Sequence, residues 1–287
     1  MIKQIDFPLQ QGACIRLQGG FNGSTADLSR LARLMHINTA PELSADPEVV
    51  WIGLQDTPQG VCCACQRKTL GIVYDPDQKM FRFYVHDTFR FDRLAAVVTL
   101  WQFTVMSGVT AGILRGRKVQ LMHCSMLEKD GQALLLCGES GIGKSTTVRR
   151  WKDAGGTAVS DDVVMLEYLD DDILVHRLPT WSSCREAIEG KVYPFDPPLK
   201  LKSVLAISRA ESIEGVEEVP WAEYYAQIYR CGFYHHMAVV EKLPLETRKQ
   251  VTGVIRNFTD ILLKRFKPQA FFAHLDGNIK DSLGVFL

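Results

Sequence analysis

The segment Leu134-Leu135-Leu136-Cys137-Gly138-Glu139-Ser140-Gly141-Ile142-Gly143-Lys144-Ser145-Thr146 leaves little choice of local structure. An apolar run of strand length breaks into a glycine-rich turn and then into a lysine followed by hydroxyls, the sequence form of a strand, a phosphate cradle and a helix. A polyphosphate is gripped by backbone N–H groups, and a Cβ at the glycines would block that approach or forbid positive φ. Gly138, Gly141 and Gly143 supply the freedom, and Lys144 sets a flexible cation against the β and γ oxygens. Ser145 offers a hydroxyl to Mg2+, and from Thr146 a helix turns its positive end to the anion. Gly138, Glu139, Ser140, Gly141, Ile142, Gly143, Lys144, Ser145 and Thr146 are therefore the candidate phosphate-binding residues for ATP or GTP.

Downstream, Val148-Arg149-Arg150-Trp151 continues a helix that ends near Gly155-Gly156, and Thr157 to Ser160 forms a short strand leading into Asp161-Asp162. Phosphoryl transfer needs a metal bridging the β and γ oxygens and a carboxylate near the incoming hydroxyl, and two acids at a strand end can divide those tasks. The same pair could also do no more than turn the chain.

His123 lies fifteen residues before Gly138, and the two aspartates lie seventeen and eighteen after Lys144. This combination of His, Gly-x-Ser-Gly-x-Gly-Lys-Ser and Asp-Asp resembles the bacterial HPr kinase/phosphorylase family. The resemblance implies an α/β fold: a phosphoenolpyruvate carboxykinase-like P-loop kinase domain with a mixed sheet and flanking helices. It implies ATP-dependent phosphorylation, with Mg2+, of a serine or threonine hydroxyl on a peptide or small-protein acceptor. Carried over by residue, Lys144 would hold the β and γ phosphates, Ser145 and Asp162 the metal, Asp161 would act as base, and His123 would sit beside the transferred group. Thr146 stands where that family usually has Glu, and the family's late Pro-Gly-Arg-Asn segment is missing, so HPr and phosphorolysis are not the expected substrate and reaction. Arg115-Gly116-Arg117, Leu178-Pro179-Thr180-Trp181 and Pro198-Leu199-Lys200 before Ser203 to Ile207 resemble the HPr-kinase-related proteins of peptide-modification clusters such as the SynChlorMet cassette. A small-metabolite kinase and a catalytically inactive ATP-binding regulatory protein are the alternatives.

The chain of 287 residues, 46% of them hydrophobic, has core enough for two units, read as a small N-terminal α/β region over 1–93 and the kinase domain over 94–287. Thirty-three basic residues balance thirty-three acidic ones, so no global field draws the protein to nucleic acid or an acidic membrane surface. Eight cysteines and a start without the apolar core of a signal peptide fit free thiols in the cytoplasm. Cys62, Cys63 and Cys65 have a spacing that could hold zinc, but a strand with small reduced side chains is the preferred reading. Leu94 to Leu114 carries no charge and is long enough to cross a bilayer, yet Thr99, Gln102, Thr104, Ser107 and Thr110 interrupt it; a core helix is expected, and no membrane.

Earlier in the chain, Ser24 to Asp27 reads as a cap for a helix bearing Leu28, Leu31, Leu34 and Met35, and Thr69–Tyr74 with Lys79–His86 as a hairpin. A second hairpin is read from Val163–Leu169 and Ile173–Leu178, with Asp170 to Asp172 as its solvated tip. In the Pro179 to Pro198 stretch Arg185 is the first choice for a cation on the leaving phosphate. Helices are read over Trp221–Tyr229 and Leu245–Phe266. His235 and His236 cannot point the same way and are left out of the site. Self-association into a homo-oligomer is compatible with all of this.

Overall fold

The computed structural model describes residues 4–8, 14–20, 47–53, 62–63, 70–85, 94–178 and 197–286. They belong to two compact units: residues 1–117, 179–195 and 236–251 form one, and 118–178, 196–235 and 252–287 the other. The helix expected to open the kinase domain at residue 94 thus groups with the leading region. The Ser24–Met35 helix and Arg185 lie outside the described residues.

In the first unit, β1 (Gln4–Pro8), β2 (Cys14–Gly20), β3 (Val49–Gly53), β4 (Cys62–Cys63), β5 (Leu70–Asp75) and β6 (Met80–Val85) form one sheet in the order β1-β2-β3-β6-β5-β4. The β5–β6 pair is the expected hairpin: Asp75 Oδ1 accepts from the backbone of Asp77 and Gln78 at 3.1 Å each, so the aspartate closes its own turn. Cys62 and Cys63 lie in β4, as a strand reading requires, and Cys65 is outside the described residues. The uncharged run becomes α1 (Leu94–Leu114), whose Thr104 returns its hydroxyl to Leu100 O at 2.7 Å. Thr110 meets His236 at 3.0 Å. Buried hydroxyls satisfied in this way let a polar-flecked helix sit in a core. No helix among the described residues is long and apolar enough to cross a membrane. Glu48, fully buried, accepts from Arg16 N at 2.6 Å and pairs with Arg117 at 2.6 Å.

The second unit is built on an eight-stranded mixed sheet. Its strands are β7 (Val119–Lys129), β8 (Gln132–Cys137), β9 (Thr157–Ser160), β10 (Val163–Tyr168), β11 (Ile173–Arg177), β12 (Leu199–Arg209), β13 (Gly215–Glu218) and β14 (Gln269–Ala273). The order is β11-β10-β7-β8-β12-β14-β13, with β9 beside β7. β12 runs parallel to both β8 and β14. A parallel centre must be covered on both faces, and the sequence supplies two apolar sets on alternate residues. Ala133, Leu135 and Cys137 of β8, with Val204 and Ala206 of β12, join Tyr224, Ile228 and Cys231 of α3 (Trp221–Val240) and Phe258, Leu262 and Leu263 of α4 (Leu245–Arg265). Leu134, Leu136, Leu205 and Ile207 face the other way, onto Val148 and Trp151 of α2 (Lys144–Asp153) and Ile279 and Leu283 of α5 (Ile279–Leu283). Burying each large side chain contributes roughly 1.5–3 kcal/mol, which is why the unbroken run Leu134-Leu135-Leu136 belongs at the centre.

β10 and β11 form the second expected hairpin, and its acidic tip is ion-paired: Asp170 to Lys118 at 2.8 Å, Asp172 to Lys200 at 2.8 Å and to Arg265 at 3.2 Å. The mixed sheet with helices on both faces is the fold class expected from the sequence.

Candidate functional site

β8 delivers its last residue, Cys137, to the mouth of the sheet, and the chain turns through Gly138–Gly143 into α2. The glycines meet different demands. Gly141 and Gly143 hold φ of 82° and 122°, left-handed values that favour glycine, with open space where a Cβ would stand. Gly138 is set by proximity instead: a Cβ there would stand 2.6 Å from Ile207 Cγ2 of the neighbouring strand. The first turn of α2 contains no acidic residue, and no side chain caps it. Ser145 and Thr146 are exposed at that end. The helix therefore presents free N–H groups and two hydroxyls beside a concave backbone turn, an arrangement that fits an anion such as a phosphate chain.

Lys144 is buried beneath this turn. Its ammonium donates to Gly138 O at 2.7 Å and Glu139 O at 2.9 Å, and its third contact is His123 Nε2 at 2.9 Å. Burial pushes the lysine below its ordinary range, against the opposite pull of the Asp162 carboxylate. A donating lysine makes His123 Nε2 the acceptor, which puts the ring hydrogen on Nδ1. That Nδ1 faces His235 Nε2 at 3.2 Å and Asp162 Oδ1 at 3.4 Å. His235 Nε2 lies 3.9 Å from the same carboxylate oxygen. Burial pushes His235 down to about 4, so its imidazole is neutral at neutral pH. For Asp162, burial acts upward, but the His123 hydrogen bond and the fields of His235 and Lys144 outweigh it and hold the carboxyl below its usual value.

The expected residues thus gather as one group: Lys144, His123 and Asp162 are in contact, and Asp161 is half-buried in the same β9–β10 turn. Ser145 and the loop residues Glu139 and Ser140 are exposed at the rim.

His235 is the correction. The direction argument holds, since His236 meets Thr110 while His235 meets Asp162, but it removes one of the pair from the site and not both. Two cations near the loop were also unforeseen. Arg209, ending β12, donates to Gly141 O at 2.8 Å, and Arg230 on α3 pairs with Glu139 at 2.8 Å. Their signal in the sequence was only that both lie near apolar strand or helix faces, which does not reveal a destination. Under the loop, Cys124, Cys137 and Cys231 are free and buried. Hydrogen bonding to Cys124 raises the Cys137 thiol and hydrogen bonding to Cys137 raises that of Cys231; burial adds to both, and they stand well above their ordinary range.

A curated HPr kinase/phosphorylase from Lachnoclostridium phytofermentans is 33% identical to this chain over 78 residues, 25% of each protein. The match therefore spans a quarter of that relative's length. The solved Hpr(Ser) kinase/phosphatase from Coxiella burnetii is 19% identical, over 35% of this chain and 78% of that one, with a TM-score of 0.24. The sequence match points to an HPr-kinase-like relation over that segment. The family model of the SynChlorMet cassette protein ScmC matches residues 92–251, more than half of the chain, and the chain belongs to that family.

Proposed function

We propose that the protein is an ATP-dependent kinase that transfers the γ-phosphoryl group to a serine or threonine hydroxyl of a peptide or small protein. The observation that carries this reading is the buried Lys144 beneath an uncapped helix start and a turn of positive-φ glycines, with paired acids beside it. Lys144 exchanges its two loop carbonyls for β and γ oxygens, and the backbone of Gly138–Thr146 holds the phosphate chain. Ser145 and Asp162 would hold Mg2+, whose chemistry when bound is to neutralise charge on the β and γ oxygens. Asp161 accepts the proton of the acceptor hydroxyl as its oxygen bonds to the γ phosphorus and the bond to the β-bridging oxygen breaks, releasing ADP. His123, hydrogen-bonded to Lys144, sits beside the group in transfer.

The test incubates the protein with Mg·ATP and serine-containing peptides and reads the mass gain of one phosphate. Lys144→Ala is expected to abolish transfer and weaken the stabilisation that Mg·ATP gives, whereas Asp161→Asn keeps that stabilisation and loses transfer. Full-rate turnover by Asp161→Asn would end the base assignment.

A further inference from the structure

We propose that His123, His235 and Asp162 form a binding site for one first-row transition-metal dication, with Zn2+ as the representative ion. Their ligand atoms, His123 Nδ1, His235 Nε2 and an Asp162 carboxylate oxygen, all lie within 4.8 Å of one another. The separations are 3.2, 3.4 and 3.9 Å. Donors held at about 2.0–2.2 Å from a zinc ion stand roughly 3.0–3.5 Å apart, so two of the three edges already have the spacing of a coordination shell and the third closes by a few tenths of an ångström.

The donor set also selects the ion. Imidazole nitrogen suits zinc and its neighbours, whereas Mg2+ prefers oxygen and retains water. The site is therefore chemically separate from one built on the Ser145 hydroxyl, although a carboxylate has two oxygens and Asp162 can serve both.

The ligands come from rigid elements. His123 lies within β7, paired there with Val163 of β10, and His235 lies within α3. The Asp162 backbone carbonyl accepts from Cys124 N at 3.1 Å, which fixes the β9–β10 turn against β7. The side chains of His123 and His235 are only 9% and 11% exposed, and Tyr234 lies over the His123 ring at 4.8 Å between centroids. Three donors converging at a partly covered spot leave one position for water or for an oxygen of a bound molecule, the pattern of an open rather than a closed zinc site.

The lysine contact gives the site a condition. Coordination through His123 Nδ1 places the ring hydrogen on Nε2, which then cannot accept from Lys144. The ion and the Lys144-to-His123 hydrogen bond exclude each other, and a ligand that draws Lys144 away toward an anion frees the histidine for the metal. In this form the inference deepens the kinase reading, but the metal site itself stands on the three side chains alone.

The experiment uses the full chain, stripped with chelator and dialysed against Zn2+, with bound metal counted by mass spectrometry. Co2+ substitution then reports the ligands by visible absorption. One ion per chain is expected, with nitrogen and oxygen d–d bands and no thiolate charge-transfer band, which matters in a protein with eight cysteines. His235→Ala and His235→Gln, each checked for native circular dichroism, should weaken Zn2+ binding at least about tenfold. Unchanged affinity in both folded variants, or a thiolate band in the cobalt form, overturns the proposal. Stabilisation of the wild type by Mg·ATP is measured in parallel: its presence alongside absent Zn2+ binding rejects the metal site alone, and its absence alongside intact Zn2+ binding rejects the nucleotide reading alone.

Discussion

Gly138→Ala tests whether the Gly138–Gly143 turn is set by contact with its neighbouring strand or by backbone conformation. The added methyl would stand 2.6 Å from Ile207 Cγ2, 3.1 Å from Ile142 Cγ2 and 3.3 Å from Gln227 Nε2. Ordinary carbon contacts fall near 3.5–4.0 Å, so the first is short by about 1 Å. Ile207 is 1% exposed in a strand paired on both sides and cannot retreat. Gln227 is tied at 2.8 Å to Cys137 O and at 3.1 Å to Ile207 O. The loop must move, at an overpacking penalty of about 1–3 kcal/mol. Ile207→Ala removes the obstructing methyl and by itself costs about 2–5 kcal/mol. In that background only the 3.1 and 3.3 Å contacts remain, so Gly138→Ala should cost about 0.5 kcal/mol or less, leaving a coupling of at least about 0.5 kcal/mol. The assay is urea unfolding of the four proteins of the cycle, each with and without Mg·ATP. Gly138→Ala alone should also reduce the stabilisation by nucleotide. Additive effects of the two substitutions would refute the steric account.

Gly141→Ala, where nothing crowds a Cβ, should lose only the roughly 1–2 kcal/mol of a left-handed backbone and show no coupling to Ile207, by the same unfolding assay. Tyr168 donates its hydroxyl to Gln120 Oε1 at 2.9 Å within a fully buried stack on Phe258; Tyr168→Phe keeps the stack and strands the amide oxygen, for a loss of about 1–3 kcal/mol in urea unfolding. Glu48→Ala leaves Arg117 and Arg16 N without their shared acceptor and should cost about 3 kcal/mol, whereas Glu48→Gln should cost clearly less, because burial pushes this carboxyl above its usual range and its charge is poorly compensated. Equal losses for the two Glu48 variants in thermal unfolding would contradict that ordering.

What the sequence revealed of this protein was mostly local. The Leu134–Cys137 strand, the glycine turn and the start of α2 are each determined by residue types within a few positions. The two hairpins announce themselves by aspartates that close or cap their turns. α3 was harder: it runs to Val240, well past Tyr229, through Gly232. A glycine costs helix propensity, yet the helix continues through it, with the Gln120 side chain of β7 packed where a Cβ would stand. β13 and β14 were missed because Gly215–Glu218 and Gln269–Ala273 are short, and each becomes a strand only by pairing with a partner more than fifty residues distant. His235 was set aside with His236 because a tandem pair cannot share a direction, and nothing local says which of the two turns toward His123. His235 joins His123 across 112 residues of sequence, and no local pattern encodes a contact that only the packed sheet and helix create.

Cys124, Cys137 and Cys231 lie beneath the glycine turn, as free thiols shut away from solvent. An alkylating reagent reaches them only when β7, β8 and α3 part, so the labelling rate at these three sulfurs is a clock for the opening of the unit's interior. Any molecule that settles into the loop above them should slow that clock.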